Sequence, residues 1–129
     1  MPTNLIGRFY FKQTSNGNLI GEFSNNLSVK ASTESSDLIP INPANPPFIG
    51  FYHSTWQEDG KTASFAVLTI SQKTASGGLF RLIWTNNNVV IFRGEGMLCD
   101  NILTGDYLDE QTSIKLGVYR FPNSGTGNE

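Results

Sequence analysis

The residues best able to do chemistry in this chain are aromatic and hydroxyl side chains on one face of a predicted strand. Tyr52, Ser54 and Trp56 alternate along the sequence, and alternate residues of a strand point to the same side. With Trp84 and Tyr107 they would form an aromatic pocket with a few directing polar groups, the usual composition of a small-molecule site. We therefore predict ligand contacts at these five residues. The other interpretation is that the aromatic rings simply fill a small barrel.

Catalytic interpretations are weaker. His53 is the only histidine, and its neighbour Ser54 must point to the opposite face of a strand, so the two cannot form a nucleophile and base pair. Asp106, Asp109 and Glu110 are close in sequence and could be imagined as paired catalytic carboxylates. We interpret Asp109 and Glu110 instead as solvated groups in a turn. The sequence therefore predicts no enzymatic activity and no cofactor.

The composition excludes several classes of partner. A chain of 129 residues can bury the core of one domain, and a net charge of −2 offers no basic field for nucleic acid. The start of the chain lacks a signal-peptide pattern and no apolar run is long enough to span a membrane, so we expect a cytoplasmic protein with no membrane partner. The lone Cys99 excludes an intrachain disulfide and is expected to be a half-buried structural thiol, and a single histidine excludes a multi-histidine metal site.

Strand signals dominate the chain. Runs rich in aromatic and branched residues alternate with turns such as Asn16-Gly17 and Ala75-Ser76-Gly77-Gly78. We predict an all-β domain over residues 1–121, an antiparallel up-and-down β-barrel of about eight strands, followed by a flexible tail over 122–129. The predicted strands are 5–12, 19–24, 48–57, 62–72, 79–85, 89–99, 102–109 and 114–121.

Residues 33–47 differ from the rest of the chain. Four prolines fall within 40–47, and proline cannot donate to the hydrogen-bond ladder of a central strand. We therefore predict one long loop over 33–47. Long loops in compact domains are usually functional or mobile, and 38–47 directly precedes the strand that carries Tyr52. We expect this segment to cover the mouth of the barrel.

Alternation assigns two faces to the predicted sheet. Arg81, Arg93 and Glu95 mark the outer face, because unpaired charges are costly inside a barrel. The predicted inward residues are Tyr52, Ser54, Trp56, Ser64, Ala66, Leu68, Ile70, Phe80, Leu82, Trp84, Val90, Phe92 and Gly94. The outer face also carries Phe51, Phe65, Val67 and Ile91. An outer face this apolar predicts a homo-oligomer, a dimer or a tetramer.

Two blocks of the chain resemble the avidin/streptavidin family. Asn16-Gly17 followed by residues 19–25 (LIGEFSN) is similar to the family's turn glycine and Leu-x-Gly-x-Tyr-x-Ser strand. Residues 49–54 (IGFYHS) with the following Asp-Gly turn resemble its Thr-Gly-x-Tyr-x-Ser strand. Trp84 falls near a barrel tryptophan of the family, and 114–121 is similar to its last strand. The resemblance implies a calycin-type barrel.

Departures from that pattern bear on biotin, the ligand that the resemblance would imply. Phe23 and Asn25 stand where the family has an inward tyrosine and serine, Tyr119 aligns with its aspartate, and Gly96 aligns roughly with one of its tryptophans. A polar ligand site that loses its paired groups loses affinity steeply. We therefore predict a small apolar or amphipathic ligand other than biotin.

Two functional classes stay open at the level of sequence. The first is a non-enzymatic barrel that binds a small molecule. The second is an interaction or assembly protein whose core is solid and whose outer surface does the work. An internal cavity of several hundred Å³ would favour the first class, since ligand pockets are usually about 300–1,000 Å³. The sequence names neither a ligand nor a partner.

Overall fold

The strands of this protein close into one antiparallel barrel. The computed structural model describes residues 3–40, 46–58, 60–75 and 77–120. The strands are β1 (Ile6–Gln13), β2 (Leu19–Asn25), β3 (Ser32–Leu38), β4 (Gly50–Trp56), β5 (Ser64–Gln72), β6 (Leu79–Asn86), β7 (Val89–Cys99) and β8 (Ile102–Asp109). Each strand pairs with the next, and β8 pairs with β1. The predicted all-β up-and-down barrel of eight strands is confirmed.

Alternation along the strands fills the barrel interior, as the sequence predicts. The inward side chains of β4, β5 and β6 are buried except Trp56 and Ser64, which are half-buried, whereas Phe51 and Phe65 on the other face are exposed. The buried apolar cluster consists of Phe9, Phe11, Leu19, Phe23, Phe48, Tyr52, Ala66, Leu68, Ile70, Phe80, Leu82, Trp84, Leu103 and Tyr107. Ile91 departs from the predicted outer face: the register between β6 and β7 shifts after Trp84, and Ile91 packs partly against this cluster.

One end of the barrel, which we call the closed end, is sealed by Gln13, Phe48 and Tyr52. The Phe48 N–H donates to Gln13 Oε1 at 2.9 Å, and the Tyr52 hydroxyl donates to the Phe48 carbonyl at 2.9 Å. Gln13 Nε2 in turn donates to the Tyr52 hydroxyl at 3.2 Å. These bonds hold the backbone of Phe48 in place. Its side chain is buried against the core and closes this end of the barrel.

The predicted loop over 33–47 is wrong in its first half. Residues 33–38 belong to β3, which pairs with β2 and β4 and completes the barrel. The part of the connection that follows β3 leads into Phe48 at the closed end, so the prediction that 38–47 covers the mouth of the pocket is also wrong for the described residues. Residues 41–45 lie outside the described part of the chain.

The predicted strand over 114–121 is instead preceded and partly replaced by a helix, α1 (Glu110–Leu116). Asp109 caps its first turn by accepting from the Thr112 N–H at 2.9 Å, and Gly117 ends it in the left-handed conformation at φ 68°. Asp109 and Glu110 are therefore not free turn carboxylates. Glu110 accepts from Arg93 at 2.7 Å and from Arg120 at 2.8 Å, which ties α1 to β7.

Three smaller expectations concern Cys99, the C-terminal tail and membrane-spanning helices. Cys99 is exposed at the end of β7 rather than half-buried. The predicted tail over 122–129 lies outside the described residues. Within the described ranges, no helix combines the length and the apolar character that crossing a membrane would require.

Candidate ligand-binding cavity

The end of the barrel opposite the closed end, which we call the open end, contains a cavity of about 80 Å³. Residues at the start of β1 and near the ends of β2, β4 and β8 are among those that line it. The lining residues are Leu5, Phe9, Phe23, Asn25, Glu34, Trp56, Glu58, Trp84, Phe92 and Tyr107. The volume exceeds the roughly 10–15 Å³ that one water needs, but it is below the several hundred Å³ at which cavity size alone would favour a ligand-binding barrel.

Four of the lining side chains form a closed ring of edge-to-face contacts, which we call the aromatic box. Phe23 contacts Trp56 with ring centroids 6.4 Å apart, and Trp56 contacts Phe92 at 6.1 Å. Phe92 contacts Tyr107 at 5.5 Å, and Tyr107 closes the ring against Phe23 at 6.3 Å. Such contacts hold each ring in place by packing it against two others. The box therefore presents a rigid apolar wall around the cavity.

Trp84 forms the floor beneath the aromatic box. Its ring lies 6.3 Å from that of Phe92 and 5.9 Å from that of Tyr107. Its indole N–H donates to Glu34 Oε2 at 2.9 Å, so the floor carries a carboxylate at its edge. Trp84 thus connects the apolar wall to the one acidic side chain buried inside the described part of the barrel.

Glu34 is a buried carboxylate that lines the cavity and projects inward from β3. Ser54 and Trp84 both donate to its Oε2, and Ser54 is itself bonded to Ser36 with 2.9 Å between their hydroxyl oxygens. Among the described residues no donor reaches Oε1, and no lysine, arginine or histidine forms an ion pair with this carboxylate. Glu34 therefore lines the cavity with one carboxylate oxygen, Oε1, that accepts from no described residue.

Burial sets the protonation of Glu34. Removal from water raises the pKa of this carboxyl from 4.5 to about 7, and the hydrogen bonds from Ser54 and Trp84 only partly oppose that rise. The Tyr107 phenol is affected in the same direction, because burial raises its pKa to about 12. Around neutral pH the cavity thus holds one carboxyl group close to its titration point and a neutral phenol.

Asn25 and Tyr107 add a second polar edge, and Gly7 makes the arrangement possible. Asn25 Nδ2 donates to the Tyr107 hydroxyl at 3.1 Å, while Asn25 Oδ1 accepts from the Leu27 N–H at 2.8 Å. Gly7 pairs with Asn25 on one side and with Tyr107 on the other. A Cβ atom at Gly7 would lie 2.1 Å from Tyr107 Cε1, so only glycine lets the phenol ring cross this strand.

The mouth of the cavity is held by the N-terminal segment and by α1. The Leu5 N–H donates to Thr112 Oγ1 at 2.9 Å, which fixes Leu5 at the rim. Glu58 lies on the other side of the rim and pairs with Lys61 at 3.5 Å. Leu5, Asn25 and Glu58 also line an adjoining hollow of about 190 Å³. A ligand larger than the cavity would therefore extend into this hollow.

The chain was compared with protein-family models, curated proteins and solved structures. No protein family, curated protein or solved structure matches it. The resemblance to the avidin family therefore stays a prediction. One part of the alignment does not agree with the structure, because Tyr119, which it matches to an aspartate of the last strand, follows α1 and lies in no strand.

The five predicted ligand contacts separate into three positions. Trp56, Trp84 and Tyr107 line the cavity. Ser54 lies behind it and contacts it only through Glu34, to which it donates. Tyr52 does not line this cavity, because it lies at the closed end, where its hydroxyl is bonded to Phe48 and Gln13. Alternation identifies the inward face correctly but does not give the depth of a residue along the barrel.

The main residue that the sequence did not predict is Glu34. It lies in the segment that the sequence predicts to be a loop. The inward residues of β3 include Glu34 and Ser36, so this strand shows no apolar alternation. In the sequence, Phe23 and Asn25 stand out only as departures from the biotin pattern, yet both line the cavity. The one sequence signal for β3 is the length of the segment between β2 and β4, which is much longer than a hairpin connection requires.

Proposed function

We propose that this protein is a non-enzymatic barrel that binds a small molecule in the cavity at its open end. The observation that carries the proposal is the contrast between the two ends of the barrel. The closed end is filled and sealed by Phe48, whereas the open end surrounds a cavity with the aromatic box and three polar side chains. A few fixed polar groups in an aromatic wall are the usual composition of a ligand site.

The buried carboxylate supports binding over a purely structural core. A core that only fills space is most stable with apolar residues, because burying a charge without a partner costs free energy. Glu34 is nevertheless buried without a cationic partner among the described residues. Ionisable groups with strongly shifted pKa values cluster at functional sites. Catalysis is less well supported, since Ser54, the hydroxyl that donates to Glu34, does not line the cavity.

We expect Trp56→Ala to weaken ligand binding by about 1–3 kcal/mol, the scale of a lost buried aromatic contact. Both tryptophans of the chain line the cavity, so tryptophan emission reports on the site directly. A panel of small neutral, cationic and anionic molecules, including biotin, is titrated into the protein and followed by fluorescence. Native mass spectrometry of the purified protein is used to look for a ligand that co-purifies.

The matched control for this titration is Tyr52→Phe. It removes a hydroxyl at the closed end and leaves the cavity lining intact, so ligand affinity should not change. A panel that leaves the emission unchanged, together with no co-purified molecule, would count against the proposed binding function. Equal loss of affinity in both variants would indicate a general folding defect instead of a lost contact.

A second candidate function is assembly with further copies of this chain through the outer surface of β4 and β5. Phe51 and Phe65 lie on these neighbouring strands and are 47% and 62% exposed. Val67, half-buried, lies between them on the same outward face. Apolar side chains exposed in a group favour a protein interface. Binding and assembly are compatible, since the cavity opens at the end of the barrel and this surface lies on its side.

We expect sedimentation velocity at tens of micromolar to show a dimer or tetramer, and Phe65→Ser combined with Phe51→Ser to shift it toward monomer. The reason is that exposed aromatic rings lose the free energy of burial when they become polar. Val29→Ser is the control, because Val29 is 92% exposed in a loop at the open end. A monomer in the unmodified protein would rule out this assembly. The cytoplasmic location expected from the sequence stays a prediction.

A further inference from the structure

The chemistry of the cavity restricts the charge of its ligand. Two carboxylates, Glu34 inside and Glu58 at the rim, line it, and none of its lining residues is a lysine, arginine or histidine. Above neutral pH, where Glu34 is ionised, an anionic ligand would meet two negative groups in a place of low polarity, where repulsion is strong. The lining therefore disfavours anions, which leaves cations and neutral molecules.

The arrangement of the aromatic rings favours a cation over a neutral molecule. Phe23, Trp56, Phe92 and Tyr107 line the cavity as a ring of mutually contacting side chains, and Trp84 lines it as well. Aromatic rings attract cations, and boxes of such rings are the usual means of holding quaternary and other alkylated ammonium groups. A cation here would also contact Glu34, whose Oε1 accepts from no described residue, whereas Ser54 and Trp84 donate to its Oε2.

We propose that the cavity receives the head group of a small organic cation of the alkylated ammonium class, with Glu34 as its counter-charge. The inference rests on the proposed binding function and names the class of its ligand. A cavity of about 80 Å³ suits a compact head group and not a whole large ligand. The adjoining hollow of about 190 Å³, whose lining includes Lys30 and Lys61, gives room for a short uncharged chain beyond the head group.

The test compares choline with its neutral carbon isostere, in which a tert-butyl group replaces the trimethylammonium group. Both have the same shape, so any difference in affinity reports on charge alone. Tryptophan fluorescence and calorimetry are used to follow binding to the unmodified protein, to Glu34→Gln and to Glu58→Gln. Glu22→Gln is the matched control, since Glu22 is an exposed residue of β2 outside the cavity and undergoes the same change of charge.

We expect choline to bind the unmodified protein at least about tenfold more tightly than the isostere. Glu34→Gln should remove most of that preference by weakening choline alone, and Glu58→Gln should have a smaller effect because Glu58 already pairs with Lys61. Glu22→Gln should leave both affinities unchanged. In the unmodified protein the affinity for choline should rise as the pH rises through about 7, because the cation binds the ionised carboxylate. Tyr107 stays neutral over this range, since burial raises its pKa to about 12.

Three results would overturn the inference. Equal binding of choline and the isostere would show that the cavity binds molecules without regard to charge, and the proposed binding function would stand. If Glu34→Gln still prefers choline to the isostere, a residue other than Glu34 provides the counter-charge. Failure of both molecules to bind would exclude this ligand class, whereas the proposed function would still be decided by the neutral and anionic members of the wider panel.

Discussion

The contribution of Glu34 to the free energy of unfolding should fall by about 3 kcal/mol as the pH rises from about 4.5 to about 7, and Glu34→Gln should remove this contribution. The folded protein raises the pKa of Glu34 from 4.5 to about 7. Between these values the folded state holds a proton that the unfolded chain releases. The stabilisation from Glu34 is therefore complete below the lower value and is lost as the pH rises through the upper one.

The measurement is urea unfolding, followed by circular dichroism, of the unmodified protein and Glu34→Gln at several pH values across this range. Glutamine keeps the shape of the protonated side chain, so the two proteins should have similar stability under acidic conditions. Above neutral pH, Glu34→Gln should be the more stable protein by about 3 kcal/mol, because it has no carboxylate to bury. Parallel pH profiles for the two proteins would contradict the prediction.

The two proteins must be compared because the ionisation of other groups also changes the free energy of unfolding with pH. Burial alone would raise the pKa of Glu110, but the hydrogen bonds from Arg93 and Arg120 outweigh it and lower that pKa. The stabilisation from Glu110 is therefore present above its unfolded pKa and is lost as the pH falls, which is opposite to Glu34. Both proteins share this contribution, so their difference isolates Glu34. Glu22→Gln controls for the loss of one negative charge from the surface.

The barrel itself could be predicted from the sequence because its physical causes are local. Alternating apolar residues mark the inward face of β5 and β6, and Arg81 and Glu95 mark the outer face. Turn residues between the strands give their spacing and antiparallel order. Both kinds of information lie within a few residues of each strand, so the strand pattern and the assignment of faces follow from the sequence alone.

The two errors in the order of elements have a common cause. The sequence does not predict β3, because its inward Glu34 and Ser36 are bonded to side chains on other strands, which no local pattern reveals. α1 was missed although Asp109 and Gly117 provide its caps, because the residues after Ile114 resemble a final strand. The predicted number of strands was right only because one missed strand replaced one that does not form.

The cavity was only partly predictable for a further reason. The face on which Trp56 and Tyr52 lie can be read from alternation, but their separation into the open and closed ends depends on the register between strands. The Tyr107 ring reaches Asn25 only because Gly7 lies between them in the paired strands. Contacts between residues far apart in sequence determine the site, and a single sequence contains no direct record of them.

Trp84→Ala should lower the free energy of unfolding by about 3–5 kcal/mol, the usual cost of removing a large aromatic side chain from a core. Trp84 contacts Phe9, Phe92 and Tyr107, and its truncation would remove the floor of the cavity. Circular dichroism is the appropriate measurement, because the substitution removes one of the two tryptophans that fluorescence would use. A loss below about 1 kcal/mol would mean that the ring is not packed as described.

Trp84→Phe separates the two contributions of this residue. Phenylalanine keeps an aromatic ring in the floor but loses the N–H that donates to Glu34 Oε2. A hydrogen bond to a charged group contributes about 1.5–3 kcal/mol, more than a bond to a neutral one. The loss of stability should therefore be larger above neutral pH, where Glu34 is ionised, than under acidic conditions, where it is protonated. An equal loss across the pH range would show that Trp84 acts only by packing, and that its indole N–H does not control the charge in the cavity.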